Sequence, residues 1–363
     1  MTEEEEKTNY TKISEPEKPT IWQRLTAGRG SKRVPLPVKI GIGVLVMVIL
    51  IIITFCLYNN VPVDVATGES LEPGVVIDFP DEWSVGWDII KFIDTVIDWM
   101  VINWDPFFSA INVFILQGIL GPLEDFFLWI PWWSIFIITG LVAWQSVGIK
   151  FAGIAVVLLL LMSIVGLLDL ASMTLAITLT SALICIVIGL PLGIVAAKSN
   201  RFDGIIRPIL DMMQTMPSFV YLIPALMLFG LGKVPAVMST SIYAIPPIIR
   251  LTNLGIRQVD AQVVEAGKAF GSTPWQLLTK VQVPLALPTI LAGLNQTVMM
   301  ALSMVVIASM IGAKGLGTEV LTGIARIEVG RGIIAGLGIV FMAIILDRIS
   351  QGFARRQQTQ RML

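Results

Sequence analysis

The sequence contains no histidine and only two cysteines. Without histidine, the chain cannot form a Ser-His-Asp or Cys-His catalytic arrangement or an imidazole metal site. Cys56 and Cys185 lie in separate apolar runs, and no CxxC spacing occurs, which excludes a zinc site of that type and thiol redox chemistry. We interpret both cysteines as small hydrophobic side chains. The sequence therefore predicts no catalytic residue and no metal ligand.

Charge is scarce as well. Asp, Glu, Lys and Arg make up 14% of the chain, whereas soluble domains contain about a quarter. Hydrophobic residues make up 55%. The formal net charge of -1 argues against a nucleic-acid partner, because phosphate binding needs a concentrated cationic surface. The composition predicts an all-α polytopic membrane protein that contacts lipid.

Long apolar runs are candidates for transmembrane helices, since about 20 apolar residues cross the hydrocarbon core. About eight such spans are expected, at 40–58, 131–148, 151–168, 171–197, 209–231, 234–252, 285–311 and 333–350. The first follows a polar segment, 1–39, that we expect to be a cytoplasmic tail. A cleaved signal peptide is the alternative for 40–58, but the charged region before it would be long and no clear A-x-A site follows.

Residues 59–130 are interpreted as an extracytoplasmic segment. An acidic linker containing proline and glycine is followed by an amphipathic helix at 85–100 and a second helix at 105–120. We expect both helices to lie in the outer interface of the bilayer and to support the bundle as a scaffold. The aromatic belt that follows consists of Trp129, Trp132 and Trp133.

Basic residues are distributed unequally between alternate loops. If the N-terminus lies in the cytoplasm, 20 of the 25 Lys and Arg residues lie on the cytoplasmic side, in agreement with the positive-inside rule. The other five are Lys91, Lys233, Lys314, Arg326 and Arg331. We therefore predict a multi-pass protein of the inner (plasma) membrane with both termini in the cytoplasm and a short C-terminal tail at 353–363.

One cytoplasmic segment, 257–284, has the pattern of two short helices joined by a sharp turn. Asp260 is suited to cap the first helix, and Gly271 is suited to end it in a left-handed conformation. The run 273–276, Thr-Pro-Trp-Gln, has a capping-box pattern with proline in the first turn of the second helix. Pro284 is expected to end that helix.

The same segment resembles the EAA motif of the permeases of ATP-binding-cassette (ABC) importers. The resemblance rests on Glu265-Ala266-Gly267, Gly271 and Val281-Gln282-Val283-Pro284, with glycine replacing the third-position alanine in a swap that is conservative in size. In that family the segment forms a coupling helix that docks into a groove on a separate cytoplasmic ATPase. The resemblance therefore implies a coupling role for Glu265, Ala266, Gly267, Phe270, Gly271 and Pro284.

The chain itself contains no GxxxxGK[ST] phosphate-binding loop. ATP and Mg are therefore expected on the partner ATPase, and this chain is expected to bind no cofactor and to be no enzyme.

A narrower resemblance covers roughly residues 130–350. The runs 181–197, 208–224, 244–257 and 293–311 are similar to the permeases of glycine betaine/proline betaine importers. This likeness implies a MetI-like five-helix permease core at 171–352, with two accessory transmembrane helices at 131–170 before it. It also implies an osmoprotectant cargo, an extracytoplasmic substrate-binding protein that delivers it, and a permease homodimer that works by alternating access.

Four side chains are candidates for the passage that cargo follows. Asn295 and Gln296 place amides inside a span, where they either line the passage or form hydrogen bonds to a neighbouring helix. Phe219 and Tyr221 either contact a methylated ammonium group through their rings or pack against other helices. The sequence leaves both alternatives open for each residue.

Two other functions remain as alternatives. An ion-coupled secondary transporter would need carboxylates inside the membrane, and the middle of the expected spans has almost none. Asp211, near the start of the 209–231 span, is expected to pair with Arg207 at i−4. A membrane scaffold or osmosensor component would use the helices of 85–120 instead. Co-purification of an ATPase would separate these two from an importer.

Overall fold

The computed structural model describes residues 47–48 and 86–362, and this part of the chain consists of helices and the turns between them, without a strand. The expected tail 1–39, the span 40–58 and the linker before residue 86 lie outside the described residues. The helices are α1 (Gly86–Asn103), α2 (Asp105–Trp129), α3 (Trp132–Ser146), α4 (Ile149–Ile164), α5 (Leu168–Lys198), α6 (Asn200–Thr215), α7 (Leu222–Phe229), α8 (Lys233–Arg257), α9 (Ala261–Ala269), α10 (Pro274–Ser303), α11 (Val305–Ser309), α12 (Leu316–Ala325) and α13 (Val329–Met362).

Helix α2 is longer than the sequence predicted. It was expected to end at about Leu120, but it continues to Trp129 through a π turn at Leu116–Leu120. The most apolar 18-residue stretch of α2 has a mean hydropathy of 1.5, and the full 25 residues, about 38 Å, are long enough to cross a hydrocarbon core. Helix α2 is therefore a candidate span by its length and composition, while the interpretation of this segment as an interfacial scaffold helix stays a prediction.

The number of spans agrees only in part with the expectation of eight. In the described part of the chain, α2, α5, α8, α10 and the stretch Val329–Ala354 of α13 are long and apolar enough to cross a membrane, and α6 with α7 would add a sixth. Helices α3 and α4 have only 15 and 16 residues, which corresponds to about 24 Å or less. The all-α polytopic fold is confirmed, while the count of eight stays a prediction.

Helices α5, α8 and α10 form the centre of the bundle, where glycines allow close contact. A Cβ atom added at Gly189 of α5 would lie 2.4 Å from Ile248 of α8, and one added at Gly293 of α10 would lie 2.9 Å from Leu251. In lipid, helices associate through such close packing, because the surrounding chains are as apolar as the side chains. These contacts therefore have no room for a larger side chain at either glycine.

Cys185 lies in this contact region and is fully buried. Its Sγ donates to the backbone oxygen of Ser241 on α8, at 3.2 Å. The interpretation of this cysteine as a small core side chain agrees with its position, and Cys56 lies outside the described residues.

The expected span 209–231 is broken into two helices. Helix α6 ends at Thr215, and a 3-10 turn covers Ser218–Tyr221. The chain that continues into α7 is bent by 110° relative to α6. Met216 has φ −65° and ψ 137°, the extended conformation that a following proline favours. Pro217 therefore fixes the break, and the predicted span 209–231 consists of two helices that meet at a sharp angle.

Candidate functional site

Helix α9 begins and ends as its sequence predicts. Asp260 caps it by accepting a hydrogen bond from the backbone N–H of Gln262 at 2.8 Å. At the other end, Gly271 has φ 78°, and the N–H of Ser272 donates to the carbonyl of Gly267 at 3.1 Å. This left-handed residue satisfies the last carbonyls of the helix and reverses the chain direction.

The start of α10 is fixed by a capping box. Thr273 Oγ1 accepts from the N–H of Gln276 at 3.3 Å, and Gln276 Oε1 accepts from the N–H of Thr273 at 2.9 Å. Pro274 occupies the first turn, where its missing N–H is not required. Because both helix ends are capped by local bonds, the angle between α9 and α10 is built into the sequence.

Pro284 does not end the second helix, contrary to the prediction. Leu278–Gln282 forms a π turn, in which the N–H of Val283 bonds to the carbonyl of Leu278, five residues earlier. The wider turn leaves room for the proline ring, which would otherwise meet the carbonyl of residue i−4. Helix α10 therefore continues from this segment into the core, and we call residues 257–284 the coupling segment after its predicted role.

Much of the coupling segment is exposed. No residue of α9 is buried, and Glu265 and Ala266 are both exposed. Phe270 is 92% exposed and Trp275 is 72% exposed. Large aromatic side chains on an open surface are typical of sites that bind another protein. The sequence did not identify Trp275 as a candidate contact residue, because its exposure depends on how the capping box orients α10.

Gly267 faces the other way, towards α10. A Cβ atom at this position would lie 2.7 Å from Cδ1 of Leu277, which is buried. The glycine therefore lets the two helices approach each other, and Leu277 fills the space that an alanine would need. The sequence treated this departure from the EAA pattern as conservative in size, and it identified no role for Leu277.

Arg257 fastens the coupling segment to the core. Its guanidinium group donates to the carbonyl of Ala196 at 2.8 Å and to the side chains of Asn200 and Asn253 at 2.7 Å each. The carboxylate of Asp203 lies 3.7 Å away. One planar side chain thus joins the ends of α5, α6 and α8. This role is not visible in the sequence, because two of these partners lie 57 and 61 positions earlier in the chain.

One hydrogen bond and one ion pair join α6 to α8 nearby. Buried Asp203 accepts hydrogen bonds of 2.7 Å from Arg207 and from Asn253. Asp211 pairs with Arg250 of α8 and not with Arg207, so the predicted pair is wrong. The reason is that α6 and α8 lie side by side here, so that Arg250 reaches Asp211. Arg207 pairs with the more buried carboxylate, that of Asp203.

A cleft of about 520 Å³ lies between α9 and the ends of α5 and α8. Three cationic side chains line it, from Lys198, Arg257 and Lys268, together with the carboxylate of Glu265. The excess of positive charge favours acidic groups on whatever binds against this side of α9.

The two aromatic candidates for the passage have different surroundings. Tyr221 is buried, its hydroxyl donates to the carbonyl of Met213 at 2.5 Å, and its ring meets Tyr243 edge-on at 6.0 Å. Its ring therefore supports the break between α6 and α7. Phe219, in the same 3-10 turn, is 53% exposed and stays a candidate for contact with cargo.

The two amide candidates also differ. Asn295 Nδ2 donates to Asp347 Oδ1 of α13 at 2.8 Å, and Asn295 Oδ1 accepts from the hydroxyl of Ser350. Asn295 was expected either to line the passage or to form a hydrogen bond to a neighbouring helix, and the structure contains that hydrogen bond. Gln296 is exposed, and its role in the passage stays a prediction.

Comparison with known proteins identifies close relatives. The family model "Binding-protein-dependent transport system inner membrane component" matches residues 189–359. The glycine betaine/proline betaine permease ProW of Escherichia coli is 50% identical over 73% of this chain and 74% of its own length. The glycine betaine/carnitine permease GbuB of Listeria monocytogenes is 46% identical over 75% of this chain and 97% of its own.

A third relative is the glycine betaine permease OpuAB of Bacillus subtilis, 46% identical over 75% of this chain and 96% of its own. Among solved structures, the MetNI methionine ABC transporter in an inward-facing conformation is similar over 51% of this chain and 93% of its own, with 22% identity and a TM-score of 0.46.

Proposed function

The chain belongs to the family of binding-protein-dependent permeases that includes the glycine betaine/proline betaine permeases, and we propose that it carries glycine betaine or a related compatible solute into the cell as the permease subunit of an ABC importer. The observation that supports this most directly is the coupling segment. It is exposed, capped at both helix ends, and continuous with core helix α10. Such an element transmits the movement of a separate motor to the membrane domain.

The motor is a cytoplasmic ATPase that binds ATP and Mg, and its contact surface on this chain is centred on α9. Glu265, Ala266 and Phe270 lie on the exposed side of the coupling segment. Phe270 and the nearby Trp275 supply apolar anchors, while the basic cleft beside α9 favours acidic groups of the ATPase.

Movement of the coupling segment reaches the core by two routes. Helix α10 is uninterrupted from Pro274 to Ser303, so its first turn and its membrane part move together. Arg257 ties the other end of the segment to α5 and α6. When ATP binding brings two ATPase subunits together, two permease copies change the angle between their cores, and the passage turns outward to receive cargo.

A compact zwitterion suits the distribution of charge in the core. Asp203, Asp211 and Arg250 lie at the end that carries the coupling segment, and each is engaged in a charge pair. A passage with few unpaired charges places little electrostatic penalty on a solute of zero net charge, such as a betaine. An extracytoplasmic binding protein supplies the selectivity by delivering its bound solute to the outer side.

Transport by the reconstituted complex tests this function. The chain, its ATPase and a glycine betaine–binding protein are placed in proteoliposomes, and uptake of radiolabelled glycine betaine, proline betaine, choline and proline is measured. We expect uptake of a betaine that requires both ATP and the binding protein. Uptake that proceeds without ATP and collapses with ionophores would establish the ion-coupled alternative, and no uptake of any solute would favour a scaffold.

A further inference from the structure

Helix α2 lies outside the region that the family model matches, which begins at residue 189, yet it contacts α5 and α7 of the core. Ile115 of α2 is buried in one apolar cluster with Tyr221 and Leu222, where α7 begins. Helix α7 follows the bend that carries Phe219, a candidate for contact with cargo. Helix α2 therefore packs against the element that sets the position of this bend.

Two further contacts join α2 to the other end of α7. The ring of Phe108 meets that of Phe229 edge-on, with 5.5 Å between the ring centres. Asn112 Nδ2 donates to the backbone oxygen of Phe229 at 3.3 Å. Since Phe229 is the last residue of α7, helix α2 contacts both ends of this eight-residue helix.

Beyond its π turn, α2 contributes a buried carboxylate, that of Glu124. Both oxygens of Glu124 accept hydrogen bonds of 2.7 Å from Nζ of Lys233, the first residue of α8. Well-packed apolar side chains often stabilise such a contact as much as an ion pair does, because burying two charges costs free energy. The pair therefore contributes geometry more than stability, since it requires two particular groups to meet.

Lys233 follows a turn that is also bonded on its other side. In this turn, residues 230–232, Gly230 has φ 76° and Gly232 has φ 138°, conformations that glycine adopts readily. The N–H of Gly232 donates to the carbonyl of Ile311, after α11, at 2.9 Å. The turn thus lies between contacts from α2 and from the α11–α12 connection. It leads into the end of α8 that lies opposite the coupling segment.

We infer that Glu124 is a positioning residue for transport, an inference that rests on the proposed function. Its pair with Lys233 holds the turn between α7 and α8, and α7 in turn holds the bend that carries Phe219. Without this pair, no polar contact among the described residues joins α2 to α8. The bend then has no single position when the passage turns outward, and a cycle of ATP hydrolysis moves less cargo.

Uptake and ATP hydrolysis, measured together in proteoliposomes with the glycine betaine–binding protein, test the inference. Glu124→Gln keeps the shape of the side chain and removes its charge. We expect the amount of glycine betaine moved per ATP hydrolysed to fall by about fivefold or more, the lower end of the range typical of coupling between sites. Asp125→Asn is the matched control, because it removes the same charge from the adjacent, exposed position, and it should leave this ratio unchanged.

The exchanged pair Glu124→Lys, Lys233→Glu restores the attraction with reversed charges and should recover most of the ratio. A purely structural pair would lower uptake and ATP hydrolysis equally, because fewer complexes would be folded, and an unchanged ratio in Glu124→Gln would overturn the inference. No recovery by the exchanged pair would overturn it too, because the attraction would then not set the ratio. An unmodified complex that moves no solute would instead contradict the proposed function itself.

Discussion

Asn295 donates a hydrogen bond of 2.8 Å to Asp347, joining α10 to α13 in the membrane part of the protein. Asp347 also accepts from Gln351 at 2.7 Å. Helix α10 begins in the coupling segment, and α13 packs against α12 at the opposite end of the molecule, so this contact joins two helices that reach different ends of the bundle. Its partners are amides and a carboxylate, so it forms a polar contact between helices without a cation.

We predict that Asn295→Leu lowers the stability of the protein. The substitution leaves Asp347 with one amide donor fewer, and polar contacts between membrane helices contribute about 0.6 to 1.7 kcal/mol. Thermal unfolding of the purified permease in detergent should show the loss as a lower midpoint. Gln296→Leu is the control on the adjacent, exposed position and should leave the midpoint unchanged. Equal midpoints for Asn295→Leu and the unmodified protein would contradict this.

Gly271 is the residue at which the coupling segment turns, and its φ of 78° excludes an easy replacement by a β-branched residue. A Cβ atom there meets no neighbouring atom within 4 Å, so the cost comes from the backbone alone. Gly271→Val should cost about 1–3 kcal/mol locally. We expect normal membrane expression but severely reduced transport and substrate-stimulated ATP hydrolysis, as measured in proteoliposomes.

Gly271→Asn provides the comparison for that experiment, because asparagine adopts the left-handed conformation more readily than valine. It should retain most of the transport activity. If valine and asparagine behave alike, the turn at Gly271 does not control coupling.

Gly267→Ala restores the EAA pattern that the segment resembles, yet we expect it to reduce transport modestly. The added Cβ would lie 2.7 Å from Leu277 Cδ1, and overpacking at a buried side chain typically costs about 1–3 kcal/mol. Because Cδ1 is the far end of a flexible side chain, the cost should be at the low end of that range. The double variant Gly267→Ala, Leu277→Val should transport better than the single one, and equal rates would exclude this steric explanation.

The features of the coupling segment that depend on near neighbours were predictable from the sequence. Asp260, Gly271 and Thr273 form the bonds that their positions predict, because helix caps involve residues two to four positions apart. The continuation of two helices through proline was not predictable in this way. Pro122 and Pro284 each follow a π turn, and helix ends were expected at about Leu120 and at Pro284. A backbone hydrogen bond from residue i to residue i−5 cannot be recognised from the pattern of apolar residues.

Contacts between residues far apart in the chain also could not be predicted from the sequence. Asp211 has a plausible partner one turn earlier, but the packing of α6 on α8 supplies Arg250 instead, 39 positions later. Leu277 shows the same limit, since only the folded segment reveals that it occupies the space beside Gly267. The family resemblance located the coupling segment, and the structure identified the residues that brace it.

Arg257→Lys should impair coupling more than folding. Arg257 binds Ala196, Asn200 and Asn253 at once, and a lysine ammonium on its flexible stem cannot reproduce that planar set of bonds. Loss of two such hydrogen bonds is worth about 1–3 kcal/mol, which corresponds to roughly a 5- to 150-fold loss of the braced arrangement. We expect normal yield of purified permease and ATP-driven uptake that is lower by about fivefold or more.

Lys198→Arg is a control for that variant, because it lies beside the same cleft and keeps its charge. It should transport normally. Full uptake by Arg257→Lys would show that the brace at Ala196 is not needed for coupling.

The proposed orientation places the coupling segment in the cytoplasm and the turn between α12 and α13 outside, and labelling of single cysteines tests both at once. Gln262 of α9 and Arg326 of that turn are exposed positions. Native Cys185 is fully buried and should contribute little background, whereas Cys56 lies outside the described residues and is replaced by serine. In intact cells, a membrane-impermeant maleimide should label Arg326→Cys and should label Gln262→Cys only after the membrane is opened. Labelling of Gln262→Cys in intact cells would reverse the orientation, and docking of a cytoplasmic ATPase on α9 would then be excluded.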